Sequence, residues 1–165
     1  MLINIQFNHE SLRDHLRQCW LDTYTSVLNS HDLKQLIASL DSEDVGGLLP
    51  TTGERALVAS VNTAISGTIV YRLVGSYCYI WGLYVRKTLQ RQGVGGLLLR
   101  RVIGLTPSNT VLDLTVLDTS RSAVSFYIKS GFVAVESQSV EVTKGSFHRA
   151  TRYQLRVEDH NDTIE

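Results

Sequence analysis

The chain has 165 residues, the size of one ordinary domain, which leaves no room for a second catalytic domain. With 43% hydrophobic and 19% charged residues, two prolines and no long apolar run, the composition excludes the disordered, collagen-like and membrane-spanning classes. No basic leader precedes an apolar stretch at the N-terminus, so we expect a cytoplasmic protein. Two isolated cysteines, and no histidine pair at ligand spacing, predict neither a disulfide framework nor a metal site.

The formal net charge of zero conceals an uneven distribution of charged residues. Residues 1–54 hold three basic and eight acidic side chains, residues 55–105 hold seven basic and no acidic ones, and the remainder holds six and eight. A segment without carboxylates is where a polyanionic ligand is least repelled. A solvated basic face would give the same pattern, and the zero net charge argues against a nucleic-acid partner.

The N-terminal third is predicted to form one strand and two helices. Residues 1–7 alternate between polar and apolar side chains, as in a strand. Ser11, with Asp14 three residues later, resembles a capping box that begins the first helix. Ser30 is predicted to cap a second, short helix, and residues 41–47 are predicted to form a loop.

From Arg55 onward the apolar period changes to two. Three segments rich in β-branched and aromatic residues predict an antiparallel meander over 55–61, 65–74 and 77–85. Helices are predicted over 93–105 and 120–130, the second ending at Gly131, and further strands over 111–116, 132–136 and 149–157. The order βααβββαβαββ predicts a mixed α/β sheet with helices on its faces. We expect residues 1–157 to form a single domain and residues 158–165 a polar tail that frays.

A glycine cluster at the start of the helix over 93–105 predicts an anion site. Free N–H groups and the positive end of the helix dipole attract phosphate there, and a pyrophosphate is the natural ligand. A P-loop is excluded because Gly93 to Leu97 supplies no lysine or hydroxyl. A dinucleotide-binding fingerprint would need glycine at Leu98 and a turn directly after the strand, although Asp113, twenty residues past Gly93, keeps that alternative open.

Two blocks of sequence carry short motifs, the first of which is Gln90-x-x-Gly93-x-Gly95. It resembles the acetyl-CoA-binding motif of the GCN5-related N-acetyltransferase (GNAT) superfamily, Arg/Gln-x-x-Gly-x-Gly/Ala. Residues 120–132 resemble its second motif, Asn-x-x-Ala-x-x-Phe/Leu-Tyr-x-Lys-x-Gly-Phe, in the family's order and with one strand between the blocks. The family's leading Asn is Ser120 here, so cofactor binding is expected to be altered without being lost.

The resemblance implies the GNAT acyl-CoA N-acyltransferase fold. It implies transfer of an acetyl group from acetyl-CoA to a primary amine of a small molecule or peptide, directly in a ternary complex, without a metal. An acyl-CoA-binding module without turnover is the alternative, and a homodimer is compatible with the family. Arg86 and Lys87 are expected to add positive charge near the phosphates. The residues expected to bind the cofactor are Leu83, Tyr84, Val85, Gln90, Arg91, Gln92, Gly93, Val94, Gly95, Gly96 and Ser120.

The second motif places Tyr127 at the family's general-acid position, and a phenol is protonated at neutral pH. The base that deprotonates the amine is left open among Asp113, Thr115, Glu141, His148 and a water relay.

Smaller expectations concern glycines, cysteines and histidines. Gly82, inside an apolar strand, predicts a bulge that opens the sheet, and a side chain at Gly95 is expected to project toward the phosphates or strain the turn. Cys19 and Cys78 are expected in the core. The histidines expected at the surface or as local caps are His9, His15 and His31.

The acidic N-terminal third favours a cationic acceptor over an acidic one, although solvated charges would look the same. Its acidic residues are Asp22, Asp32, Asp41, Glu43 and Asp44.

Overall fold

The computed structural model describes residues 2–4, 8–41, 50, 52–62 and 64–158. These residues form, in chain order, β1 (Leu2–Asn4), α1 (His9–Tyr24), α2 (Ser30–Ser39), β2 (Arg55–Val61), β3 (Ala64–Val74), β4 (Tyr77–Val85), α3 (Val94–Gly104), β5 (Val111–Leu117), α4 (Arg121–Lys129), β6 (Val133–Thr143) and β7 (Ser146–Arg156). The predicted order of elements is confirmed. The remainder of the first predicted strand, most of the 41–47 loop and the tail beyond residue 158 lie outside the described residues.

The strands form one mixed sheet in the order β1-β2-β3-β4-β5-β7-β6. Every neighbouring pair is antiparallel except β4 and β5, which are parallel. That parallel pairing covers only residues 77–79 of β4 and 111–113 of β5. We call the gap that opens between residues 80–85 and 114–117 the β4–β5 notch.

Helices cover both faces of the sheet. On the face that we call the α3 face, Val94, Leu98 and Val102 recur at helical spacing and pack in one core cluster with Leu114 and Tyr127. The opposite face, the α1 face, is covered over β2 to β4, and its core includes Leu12, Leu16, Trp20, Leu40, Val58 and Ile65. Each buried leucine contributes about 2 kcal/mol through loss of apolar surface from water.

The starts of α1 and α2 differ from the prediction by a few residues. Asn8 caps α1, and its side chain accepts from the amides of Glu10 and Ser11. Asn29 caps α2, so Ser30 is its first residue and no longer its cap. In both places an asparagine oxygen reaches the free amides of the first turn, which the predicted serine caps do not.

The final hairpin is longer than predicted. Its strands run over Val133–Thr143 and Ser146–Arg156, joined at Gly145, which has φ of +82°. The predicted strands stopped at 136 and began at 149 because residues 137–139 and 143–146 are all polar or glycine and carry no apolar alternation. Gly131 ends α4 as predicted, with φ of +90°.

None of the helices in the described ranges combines the length and the apolar character needed to cross a bilayer. Nor do three potential metal ligands, among His, Cys, Asp and Glu, come together anywhere in those ranges.

Candidate active site

The connection between β4 and α3 forms an open anion site. Gly93 caps α3 with φ of +84°, a conformation that favours glycine. The first main-chain hydrogen bond of α3 runs from the Leu97 amide to the Gly93 carbonyl at 2.9 Å. The amides of the first turn, which belong to Val94, Gly95 and Gly96, therefore have no acceptor inside the helix. These amides and the helix dipole can bind a phosphate or pyrophosphate.

Two glutamines of the glycine motif hold the loop in place with their side chains. Gln90 Nε2 donates to the Val85 carbonyl at 3.1 Å, and Gln92 Nε2 donates to the Thr88 carbonyl at 2.9 Å. The Gln90 amide also donates to the Lys87 carbonyl at 3.3 Å. These bonds shape the phosphate loop, so we expect a cofactor to meet Gln92 through its main chain.

The basic residues beside the loop differ in their surroundings. Arg86 Nε donates to the Ile65 carbonyl at 2.9 Å, and its amide donates to the Ser66 carbonyl at 3.0 Å. Lys87 and Arg91 are exposed. Arg86 is therefore held against β3, and the two exposed residues are the better sources of charge for a phosphate.

Gly95 does not sit in a strained turn. A Cβ there would lie 3.5 Å from Cζ of Phe126 and 3.7 Å from Cγ2 of Val85, and the residue has no positive φ. The expectation that a side chain at Gly95 strains the turn is wrong. A side chain would instead project between α3 and α4, where it would narrow the space beside the notch.

The edge of β4 that faces the notch carries free main-chain groups. Because the Arg86 amide bonds to Ser66 of β3, alternation along the strand directs the groups of Tyr84 to β3 and those of Leu83 and Val85 to the other edge. On that edge only the Val85 carbonyl is engaged among the described residues, by the Gln90 side chain. There β5 has separated from β4, so an extended ligand can pair with that edge as an added strand.

The predicted bulge is present beside Gly82. Tyr71 of β3 pairs with Ile80 and Val70 pairs with Gly82, which leaves Trp81 without a partner. The bulge increases the local twist of β4 where the notch begins. The rings of Tyr77 and Tyr79 stack with centroids 5.8 Å apart, and those of Tyr79 and Trp81 stack at 6.2 Å. These rings alternate with core residues of the α3 face, so they line the α1 face.

Tyr127, predicted as the general acid, is buried on α4. Its ring lies edge-on to Phe126 and Phe132, with centroids 5.1 and 5.4 Å away. Burial, with a smaller contribution from Tyr24, raises the pKa of Tyr127, so the phenol is protonated at neutral pH. Across the sheet, the hydroxyls of Tyr24 and Tyr84 lie 3.3 Å apart, and burial raises the pKa of both.

Ser120 stands at the predicted position before α4, but its side chain makes no capping hydrogen bond. The hydroxyl is therefore not used by the helix. The two cysteines are buried, as predicted, and burial raises the pKa of Cys19 to about 12 and also that of Cys78.

His15 is fully buried, so the expectation that it lies at the surface is wrong. Its Nε2 is 3.3 Å from the Tyr84 carbonyl oxygen and 3.6 Å from Sγ of Cys19. Burial, helped by the charge of Arg86, lowers its pKa to about 4. The signal was in the sequence, because His15 follows Leu12 by three residues and precedes Cys19 by four on the apolar side of α1.

Two of the candidate bases, both on β5, are engaged by side chains of the β6–β7 hairpin. The buried Asp113 carboxylate accepts from Arg152 Nε at 2.9 Å, from Arg152 Nη2 at 2.7 Å and from Gln154 Nε2 at 2.6 Å. Thr115 Oγ1 accepts from Gln138 Nε2 at 3.0 Å. Asp113 is thus held by β7, which leaves it poorly placed to deprotonate an amine or to bind a ribose.

The other two candidate bases lie in the final hairpin. Glu141 Oε1 accepts a hydrogen bond from the Gly145 amide at 2.7 Å. His148 Nε2 lies 3.2 Å from Ser146 Oγ, which donates to Asp32 of α2 at 2.6 Å. The link to Asp32 could not be predicted from spacing, because 114 residues separate the two partners.

A shallow depression of about 380 Å³ lies between α1 and α2, lined by Leu21, Leu33, Lys34, Ile37, Ala38 and Asp41. None of these residues borders the notch.

Comparisons with known proteins agree with this geometry. The family model of the acetyltransferase (GNAT) domain matches residues 24–149. A search among curated protein sequences found no match.

Solved structures share the fold at low sequence identity. The PaiA N-acetyltransferase from Thermoplasma acidophilum, in complex with coenzyme A, is 18% identical, with a TM-score of 0.74 over 94% of this chain and 99% of that one. The GCN5-related N-acetyltransferase from Rhodopseudomonas palustris is also 18% identical, with a TM-score of 0.72 over 94% of both chains. The ribosomal-protein-S18-alanine N-acetyltransferase from Escherichia coli is 14% identical, with a TM-score of 0.65 over 99% of this chain and 98% of that one. The family match over most of the chain, together with the notch and the glycine-opened helix, shows that this protein belongs to the GNAT family of N-acetyltransferases.

Proposed function

We propose that this chain transfers the acetyl group of acetyl-CoA to a primary amine of a small molecule or peptide, by direct attack in a ternary complex. The observation that carries this proposal is the β4–β5 notch. The main-chain groups of Leu83 and the amide of Val85 border it without a partner among the described residues, and the anion site of α3 follows β4 in the chain. An extended thioester lying in the notch is reached from the α1 face by a second substrate.

The cofactor would lie along the residues predicted from the glycine motif. Its pyrophosphate binds the amides of Gln92, Gly93, Val94, Gly95 and Gly96, with Arg91 and Lys87 supplying charge. Its pantetheine arm pairs with Leu83 and Val85 as an added strand. The Ser120 hydroxyl, which caps no amide, donates one hydrogen bond to the cofactor.

The chemistry needs an oxyanion donor and an acid. The amine attacks the thioester carbonyl, and the oxygen that becomes negative accepts from the free amide of Leu83 or Val85. The C–S bond then breaks and Tyr127 gives its proton to the thiolate. Direct transfer is favoured because both cysteines are buried with raised pKa values, so neither is a ready nucleophile.

The acceptor would approach on the α1 face. The half-exposed ring of Trp81 borders the notch there, and an aromatic face attracts a cationic amine. Asp41 is less suited to recruit that charge than expected, because Arg17 pairs with it at 2.8 Å. Glu43 and Asp44 lie outside the described residues. The relative named for an alanine of ribosomal protein S18 supports including peptide N-termini among the acceptors tested.

The deciding experiment has two parts. Calorimetric titration should show binding of CoA and acetyl-CoA and none of NAD. Release of free thiol from acetyl-CoA should then be followed over a panel of polyamines, amino acids, aminoglycosides and peptide N-termini. Acceptor-dependent release supports the proposal. Tight CoA binding without release for any amine would favour the binding module, and NAD binding without CoA binding would contradict the cofactor assignment.

A further inference from the structure

A hydrogen-bonded cluster joins α2 to the turn of the β6–β7 hairpin. Ser146 Oγ lies 2.6 Å from Oδ2 of Asp32 and 3.2 Å from Nε2 of His148. Asn29 Nδ2 donates to the same Asp32 oxygen at 2.8 Å. Asp32 is 8% exposed, so its carboxylate is held in a nearly closed polar contact between two elements distant in sequence.

The direction of these hydrogen bonds fixes the tautomer of His148. The hydrogen bond from Ser146 is the largest influence on Asp32 and lowers the pKa of its carboxyl, so the group is ionised at neutral pH and can only accept. Ser146 must therefore donate its single hydroxyl proton to Asp32. Its oxygen then accepts from Nε2–H of His148, which leaves the proton-accepting lone pair of the neutral imidazole on Nδ1.

The sheet places His148 on the acceptor side of the notch. Ala150 of β7 pairs with Leu117, the last residue of β5, so His148 lies two residues beyond the wide end of the notch. Arg152 bonds Asp113, whose neighbours in β5 point into the core of the α3 face, so Arg152 lies on the α1 face. His148 lies on the same face, because it is four residues from Arg152 along the strand. The imidazole is half-buried, and within the described residues no hydrogen bond occupies its Nδ1.

We propose that His148 accepts the proton of the acceptor amine, with Ser146 and Asp32 as positioning residues. This proposal rests on the acetyltransferase function proposed above. As the nitrogen bonds to the thioester carbon, its N–H bond breaks and the proton passes to Nδ1, directly or through one water. The CoA thiolate receives a proton from Tyr127, and the imidazolium then releases its proton to solvent while Tyr127 regains one from solvent, so that both groups return to their starting states.

The charges around the imidazole favour this role. On α2, Asp32 faces Ser146, and the exposed His31 is held by Gln35 at 2.8 Å. In the hairpin, Glu141 binds the turn amide of Gly145, Lys144 is exposed, and Arg149 lies 3.8 Å from Asp118. The carboxylate of Asp32 therefore orients the imidazole through the Ser146 hydroxyl, as the acid of a catalytic triad orients its histidine.

The kinetic test compares His148→Gln with a matched control, His31→Gln, at an exposed histidine of α2. Wild-type kcat/KM is expected to fall on acidification, because a protonated base cannot accept the proton of the amine. His148→Gln should lower kcat/KM by about 10²-fold and abolish that dependence, while the Kd of acetyl-CoA is unchanged. His31→Gln should behave as wild type, and added imidazole should restore part of the activity of His148→Ala.

A spectroscopic test does not depend on turnover. In ¹⁵N NMR at neutral pH, the His148 ring should appear as the Nε2–H tautomer in wild type and as a mixture of tautomers in Ser146→Ala. The melting temperatures of Ser146→Ala and His148→Gln report whether either substitution destabilises the fold. An Nδ1–H tautomer in wild type, or an unchanged pH profile in an active His148→Gln, overturns the assignment of His148. If the wild-type protein acetylates none of the amines, the proposed function is overturned instead. The tautomer of His148 is measured without turnover, so that result does not depend on the proposed function.

Discussion

Nε2 of His15 lies 3.3 Å from the carbonyl oxygen of Tyr84, which joins the middle of α1 to the strand bordering the notch. The ring is fully buried and its Nδ1 has no partner. Its pKa is about 4, so the imidazole is neutral throughout the neutral range. Burial of this ring, against the weaker opposing effect of the Tyr84 contact, therefore makes the fold sensitive to acid.

Replacing His15 with leucine should flatten the acid dependence of stability. An unfolded histidine titrates near pH 6.5, whereas His15 in the fold stays neutral down to a pKa of about 4. Between these values the unfolded chain binds a proton that the folded chain does not, so stability falls by about 3 kcal/mol as pH falls through that window. Urea unfolding at several pH values should show a shallower slope in His15→Leu. The exposed His31→Gln serves as control, and equal slopes in all three proteins would contradict the burial effect.

Gly93→Ala should weaken CoA binding at least tenfold. The substitution places a side chain at φ of +84° and forces the cap of α3 to move, which disperses the amides that hold the pyrophosphate. Gly75→Ala is the matched control, because Gly75 also has a positive φ, +58°, but lies in the β3–β4 turn. Both variants should lose a similar amount of stability. Calorimetry showing equal losses of CoA affinity would place the phosphates elsewhere.

Tyr127→Phe should lower kcat by roughly 10²-fold at saturating substrate, the lower range for a positioned general acid. The phenylalanine keeps the ring contacts with Phe126 and Phe132, so Tm and the Kd of acetyl-CoA should change little. Tyr153→Phe, at another buried tyrosine of the same core cluster, should leave kcat unchanged. Wild-type kcat in Tyr127→Phe would mean that the thiolate takes its proton from water.

Arg152→Ala should destabilise the fold by about 3 kcal/mol, because it leaves the buried carboxylate of Asp113 without its cation. Arg149→Ala is the control. That side chain is 82% exposed and lies 3.8 Å from Asp118, so its loss should be nearly neutral. Denaturant unfolding at pH 7 measures both. Similar losses of unfolding free energy in the two variants would indicate that Asp113 is solvated and needs no partner.

The sequence alone determined the parts of this protein that depend on neighbours in the chain. The helical spacing of Val94, Leu98 and Val102, the glycine at the start of α3 and the Gly131 stop are local patterns, and the structure has them where they were predicted. The bulge beside Gly82 belongs to the same class. Such features follow from backbone geometry within a few residues.

Tertiary structure decided which distant side chains meet. Asp32 meets Ser146, and Asp113 meets Arg152, only because β7 lies between β5 and β6 and brings the hairpin turn against α2. Helical spacing indicated which side of α1 is apolar. It did not indicate that His15 would contact the Tyr84 carbonyl. The number and direction of such contacts depend on strand order and register, which a single sequence does not encode in any local spacing. A residue's partner is therefore chosen by the packing of the whole sheet, whereas its cap, turn or helix is chosen by its neighbours.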